Sequence, residues 1–335
     1  MNKTDLQNAL EIVKPGLASK EMIEQSTSFA FIDGRVVTYN DEISLSHPVE
    51  GLEIEGAIQA EQLYKLLNKI KQDEIEVTTE SAEIIFQAGK MKAGLTLQQE
   101  IKLPLDEISK PGKWKTLPDD FVKYIRMAMQ VCSQDMSRPV LTCVHVNEDG
   151  RIEGSDSYRI VQCTLEKEMP VKTFLVPATS AAELVKLNPS KIAEGEGWIH
   201  FKTEEETILS CRTFEAEFPD CKPFLEVEGI EVQFPRTIEK IIDRAAVFAK
   251  RDHFLDETIN ITLGNQKIKV TSKSDSGWFE EEANMKCDDK EVGFAITPYL
   301  LKDILAGMQT CILCEDRLKF EGAGWQSILC LKETK

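Results

Sequence analysis

The chain has 335 residues, 42% hydrophobic and 29% charged, a length that holds several domains, each with its own core. That balance excludes a disordered chain and suits an ordinary globular protein. The formal net charge of −17 excludes a uniformly basic nucleic-acid binder, but it is a sum over the whole molecule and leaves room for basic charge gathered on one inner surface.

The polar opening Met1-Asn2-Lys3-Thr4-Asp5 leads into an amphipathic helix over residues 6–13, with Asp5 as cap or first-turn acid. No apolar run reaches the length of a signal peptide or membrane span, so a cytoplasmic location without membrane partners is expected. Asp33-Gly34 reads as a tight turn, and residues 56–67 as a strand end running into a helix. Alternation at 75–78 marks a half-buried strand, and Ser109-Lys110-Pro111-Gly112 a boundary. A second amphipathic helix follows at 121–131, with Asp119 or Asp120 at its start, then a turn at Asp149-Gly150. Residues 174–185 again read as strand into helix, and Glu228-Gly229 as a second boundary. The helix over 238–248 places Ile238, Ile241, Ile242, Ala245 and Phe248 on one stripe. Strands at 259–263 and 267–271 flank a turn at Leu263-Gly264-Asn265, and residues 294–305 repeat the strand-into-helix pattern.

Three of these segments align. With Ile58, Val176 and Ile296 in register, apolar or small residues coincide at Leu63, Ala181 and Leu301, then at Leu66, Leu184 and Ile304, then at Leu67, Val185 and Leu305. Spacings of three and four give each helix one buried face. The copies recur at roughly 120 residues, a domain-sized period rather than a solenoid one. The expected organisation is therefore three α+β domains of common fold, about 1–111, 112–228 and 229–335.

Catalytic chemistry has little support. The four histidines, His47, His145, His200 and His253, stand in no catalytic or metal-ligand spacing, and no glycine-rich phosphate loop is present. Nine cysteines are scattered from Cys132 to Cys330, as expected of reduced, buried thiols rather than a disulfide framework. Cys311-x-x-Cys314 lies in a strand-like run, Thr310-Cys311-Ile312-Leu313-Cys314, with no second such pair to complete a metal site. No cofactor, no metal and no catalytic residue is expected.

Several local matches, in order and at domain spacing, resemble the bacterial DNA polymerase III β subunit, the β sliding clamp family. Gly154-Ser155-Asp156-Ser157-Tyr158-Arg159-Ile160 resembles the family's Ala-Thr-Asp-Gly-His-Arg-Leu segment, followed by Phe174-Leu175-Val176-Pro177 and by Phe218-Pro219-Asp220. Asp243-Arg244-Ala245-Ala246-Val247 resembles the Arg-Ala-Ala stretch, and Gly293-Phe294 with Tyr299-Leu300-Leu301 the Gly-Phe-Asn and Tyr-Leu-Leu run. The resemblance is weakest over 1–111, where the internal repeat carries the reading. The chain is shorter than typical members, as a phage or mobile-element relative would be.

The resemblance implies a DNA-clamp fold of three repeated domains, each with two helices packed on antiparallel sheets. It implies a non-enzymatic processivity factor, closing head-to-tail as a homodimer around duplex DNA, loaded by a clamp loader and tethering DNA polymerase through linear peptide motifs. Implied DNA contacts are Lys20, Lys65, Lys69, Lys71, Lys123, Arg126, Gln134, Arg138, Lys240, Arg244, Lys250 and Arg251. The family's basic pair at the start of the second helix is Glu61-Gln62 in the first domain and Ala178-Thr179 in the second, which weakens the expected charge of the bore. The implied peptide site is Ser155, Ser157, Tyr158, Arg159, Ile160, Pro219 and Phe224 with Phe254, Tyr299, Leu318, Ile328 and Cys330. Val247 and Phe248 are implied at the dimer interface. Two alternatives stand beside this reading: a degenerate clamp that binds partners without encircling DNA, and an unrelated three-domain enzyme.

Overall fold

The computed structural model describes residues 1–288, 290–305 and 307–333. Among these, seven α-helices form: α1 Lys3–Val13, α2 Ala60–Leu67, α3 Phe121–Met129, α4 Ala178–Leu187, α5 Lys222–Leu225, α6 Ile238–Ala249 and α7 Pro298–Leu305. The sheets they accompany are antiparallel at every described pairing, and the fold is α+β.

Helix α1 starts earlier than the hydrophobic pattern predicts because Asn2, not Asp5, caps it. The Asn2 Oδ1 accepts from the N–H groups of Thr4 at 2.8 Å and Asp5 at 3.4 Å. Asp5 lies in the first turn, where its charge faces the positive end of the helix. The aligned positions of the three later helices are one buried face: Leu63, Ala181 and Leu301 are all 0% exposed, and Leu67, Val185 and Leu305 are buried behind them. At the middle position Leu184 is buried, whereas Leu66 and Ile304 are only partly so.

The chain forms two compact units. The first comprises Met1–Arg126, His145–Gly150 and Lys167–Ala216, the second Met127–Val144, Arg151–Glu166 and the chain from Glu217 onward.

In the first unit one sheet runs, edge to edge, Gly56–Gln59, Ser28–Ile32, Arg35–Tyr39, Ile43–Pro48, Ile208–Arg212, Trp198–Lys202, Lys191–Gly195 and Lys115–Thr116. Strands far apart in sequence meet at its centre, where Leu45 pairs with Leu209 and Ser44 with Ser210. Asp33 and Gly34 have φ of 51° and 68°, which makes a two-residue turn whose twist suits the hairpin closed by Ile32 and Arg35. The segment expected to be a boundary is bonded along a neighbouring hairpin. Gly112 donates to the carbonyl of Glu194 at 2.9 Å, and Ser109 Oγ accepts from the Glu196 N–H at 2.9 Å. Beneath it His200 is 0% exposed, with Nδ1 2.8 Å from Ser210 Oγ. A second sheet of this unit pairs Glu76–Glu80, Glu83–Ala88 and Met91–Thr96.

In the second unit six strands follow the order Arg151–Ser155, Arg159–Thr164, Trp325–Cys330, Arg317–Gly322, Thr310–Leu313 and Ile230–Gln233. A four-stranded sheet runs Gly277–Asn284, Lys267–Ser274, Ile259–Gly264 and Val292–Ile296. Its first hairpin turns one residue later than the glycine predicts, since Gly264 pairs with Lys267 and the left-handed residues are Asn265 and Gln266. Ile241, Ile242 and Ala245 of α6 and Leu300 and Leu301 of α7 share a core with Leu318 and Phe320. Among the described residues no helix is long and apolar enough to cross a membrane.

Candidate functional site

The second unit carries four large aromatic side chains that remain about half exposed: Tyr158 at 46%, Phe224 at 50%, Phe254 at 49% and Tyr299 at 44%. Aromatic surface of this kind lowers the free energy only when something covers it, which marks it as a candidate binding surface.

The Tyr158 turn is built by Asp156. Its Oδ1 accepts from the N–H groups of Tyr158 and Arg159, both at 3.0 Å, and its Oδ2 accepts from Arg159 Nε at 2.8 Å. Ser155 Oγ donates to the Arg159 carbonyl at 3.0 Å. Ser157, where the resembled segment has glycine, sits at φ 76°, a region unfavourable to a side chain. Arg138 Nη1 donates to the Ser157 hydroxyl at 3.1 Å.

Arg159 is 7% exposed, and each of its three guanidinium nitrogens donates to an oxygen. Besides Asp156, Nη1 donates to Asp303 Oδ2 on α7 at 3.1 Å and Nη2 to the Gln130 carbonyl at 3.1 Å. Its guanidinium also lies 5.4 Å from the Tyr299 ring centre. Burial works to lower its pKa, but Asp156 and Tyr299 outweigh that and raise it, so the charge is kept. Tyr299 in turn meets Phe254 edge to face, ring centres 5.7 Å apart at 85°.

A second group surrounds Phe224. Arg317 lies 5.7 Å from its ring centre and donates to its carbonyl at 3.2 Å. Arg317 pairs across the sheet with Cys330, whose N–H donates to the Tyr158 carbonyl at 2.8 Å. The structure thus brings Tyr158, Arg159, Phe224, Phe254, Tyr299 and Cys330 into two linked groups on one unit.

Other expected lining residues behave differently. Leu318 and Ile328 are 0% and 1% exposed and Ser155 is buried. Alternation in the strand puts Leu318 on the core side. Ile160 is partly exposed opposite Ile328, and Pro219 is exposed. Beyond Ile160 and Ile328 the same face carries Gln162 opposite Gln326, at a cavity of about 660 Å³ also lined by Lys222 and Lys319.

Three residues at this surface escaped sequence reasoning: Asp303, Arg317 and Lys332. Each is an ordinary surface charge in the sequence, and only the fold reveals what it touches.

The expected cationic surface is partly spent on internal pairs. Arg244 donates to Glu281 through Nε at 2.8 Å and Nη2 at 2.6 Å. Lys65 is paired with Glu61 one turn away, and Arg251 donates to three carbonyls, those of Ala249, Lys250 and Lys273. Lys123 lies 4.7 Å from the ring centre of Tyr124. Lys20, Lys69, Lys71, Arg126, Gln134, Lys240 and Lys250 are exposed.

At the expected interface Val247 is 61% exposed, while Phe248 is partly buried and stacks on Phe279 with ring centres 6.5 Å apart. Nearby Trp278, 70% exposed, lies on the outermost strand of the four-stranded sheet. Among the described residues no three His, Cys, Asp or Glu side chains come together as a metal site. Burial pushes the Cys311 thiol up to about 12.

No protein-family model matches the chain, and no curated protein is similar to it in sequence. Its structure is similar along the whole length to bacterial DNA polymerase III β subunits. A sliding clamp of Pseudomonas aeruginosa bound to griselimycin has a TM-score of 0.87 at 16% identity, covering 100% of this chain and 98% of that one. The β subunit of Streptococcus pyogenes gives 0.85 at 19%, covering 100% and 99%. The sliding clamp of Bacillus subtilis gives 0.83 at 18%, covering 100% and 98%. The fold of this chain is the sliding-clamp fold.

Proposed function

We propose that the chain is a DNA sliding clamp: a non-catalytic processivity factor that closes head-to-tail as a homodimer around duplex DNA and tethers DNA polymerase and other replication or repair proteins. The observation that carries this reading is full-length likeness to sliding clamps together with a half-exposed aromatic cluster on the second unit. The first points to the class. The second supplies a surface whose exposure is otherwise unexplained.

In this reading the chain is three clamp domains, about 1–111, 112–228 and 229–335, acting in the cytoplasm. Tyr158, Phe224, Phe254 and Tyr299 take the leucine and phenylalanine anchors of a linear peptide from a polymerase or clamp-loader subunit, with Ser157 orienting it and Arg159 holding the Tyr158 turn and α7 in place beneath. Val247, with Phe248 behind it, lies at the junction between protomers, and a ring closes because the rotation from one protomer to the next fits. Diffuse cations on α2, α3, α6 and their loops attract the duplex without locking it in place.

The decisive experiment compares retention on linear duplex with retention on a closed circle after loading. A topological clamp stays on the circle and leaves the free ends of the linear duplex. Equal retention on both overturns the reading, as does a monomer by light scattering at micromolar concentration.

A second reading, a partner-binding scaffold that does not encircle DNA, is favoured by one observation: Arg244, Lys65 and Arg251 are already engaged within the chain. Failure to remain on circles while still binding peptide selects it.

A further inference from the structure

The turn that presents Phe254 has no fully buried hydrophobic anchor. It is a single 3-10 turn, Phe254–Asp256, with no buried residue, and Phe254 itself is half exposed. Burial of apolar area therefore fixes it only in part, through the partly buried Leu255 and the contacts of Phe254 with His253 and Tyr299, and polar bonds carry the rest. Its internal bonds are few: Asp256 N–H to the His253 carbonyl at 3.0 Å, Glu257 N–H to the Phe254 carbonyl at 3.3 Å, and Leu255 N–H to His253 Nδ1 at 3.3 Å.

The strongest external bonds come from one lysine. Lys332 Nζ donates to the Leu255 carbonyl at 2.7 Å, the Glu257 carbonyl at 2.7 Å and Thr258 Oγ1 at 2.8 Å. An ammonium has three N–H groups, and all three are used. Burial lowers the pKa of this group while Asp256 opposes the shift, as for a cation drawn out of water into a cage of oxygens. The backbone of Lys332 is anchored as well, its N–H donating to the Ala295 carbonyl at 2.8 Å. Ala295 belongs to the strand Val292–Ile296, which leads through Thr297 into α7 and so to Tyr299. Thr297 Oγ1 adds a longer bond to the Leu255 carbonyl at 3.4 Å.

We propose that Lys332 is a positioning residue of the aromatic surface, its ammonium clamping the Phe254 turn onto the strand that carries Tyr299 and so setting the edge-to-face pair that receives a peptide anchor. This rests on the reading of that surface as a peptide site, and goes beyond it by naming a residue that does not touch the ligand. Lysine suits the role because it is a compact charge with three rotatable donors, whereas the planar fork of arginine does not converge on three oxygens around one point.

The test uses the full chain and a synthetic linear peptide carrying adjacent leucine and phenylalanine. Lys332→Met keeps the aliphatic stem and removes the donors. It is expected to weaken binding about five- to tenfold, as loss of a supporting contact to a hot spot would, and to do so by less than about twofold in a Phe254→Ala background. Hydrogen exchange at the Asp256 and Glu257 amides should quicken while amides of Ile259–Gly264 stay protected. Lys332→Arg should melt with the wild type and lose an intermediate amount. Wild-type affinity in Lys332→Met where Phe254→Ala loses binding, or unchanged exchange in the turn, overturns the inference. If the wild type itself binds no peptide, the peptide reading falls, and the exchange rates still decide whether Lys332 holds the turn.

Discussion

Arg244 and Glu281 form a two-bonded ion pair between α6 and the outermost strand of the four-stranded sheet, with oxygens 2.8 and 2.6 Å from the guanidinium nitrogens. A guanidinium held this way has little left to offer a phosphate. Glu281→Gln removes the competing charge and leaves a group of the same size. Affinity for free duplex at low salt should rise about two- to threefold, and the salt dependence should steepen by roughly one counterion. Fluorescence anisotropy across a salt series measures both, and an unchanged slope would mean that Arg244 never meets DNA.

Exposed aromatic and buried aliphatic residues at the candidate peptide site should separate cleanly. Tyr299→Ala and Phe254→Ala should each cost about 1–2 kcal/mol of peptide binding in calorimetry with little loss of stability. Leu318→Ala, at a position 0% exposed, should instead destabilise the fold by about 2–4 kcal/mol in urea.

Arg159 and Asp303 offer a contrast in burial. Arg159→Met leaves the Asp156 carboxylate, 16% exposed, without its cation and should lower stability by roughly 2–4 kcal/mol. Asp303→Asn removes a partner that is 46% exposed and should cost less than about 1 kcal/mol. Chemical denaturation of the two variants reads the difference directly.

Acid should weaken the protein through His200. Burial holds its pKa at about 4, against 6.5 for the ordinary side chain. Between those values the unfolded chain binds the proton and the folded one does not. The stability tied to His200 is therefore complete above pH 6.5 and is lost as pH falls toward 4, by about 2–3 kcal/mol in all. His200→Asn, which keeps a group to face Ser210, should flatten that part of the stability curve measured by urea unfolding at successive pH values.

The helices and their buried faces were legible because a stripe at spacings of three and four has one physical outcome, as Leu63, Ala181 and Leu301 illustrate. The Asp33-Gly34 turn was legible for a similar reason, since both positions need φ above zero. The burial of Leu318 was not legible, because the resemblance names a position without saying which side of the strand it faces. Asn2 was overlooked as a cap because the apolar stripe begins only at Leu6. The Arg244–Glu281 pair and the Lys332 cage join residues 37 and more than 70 positions apart, and nothing in a charge pattern foretells such meetings. The same holds for the central strands of the first unit, where residues 43–48 find their neighbours at 208–212.

That last pairing bears on what a fragment can do. A piece ending near residue 111 keeps the strand Ile43–Pro48 but loses Ile208–Arg212, baring a row of backbone donors and acceptors that the intact chain covers. Such a bare edge is a template for other strands. The isolated first third should therefore self-associate or precipitate on expression, and its solubility is a poor guide to the intact chain.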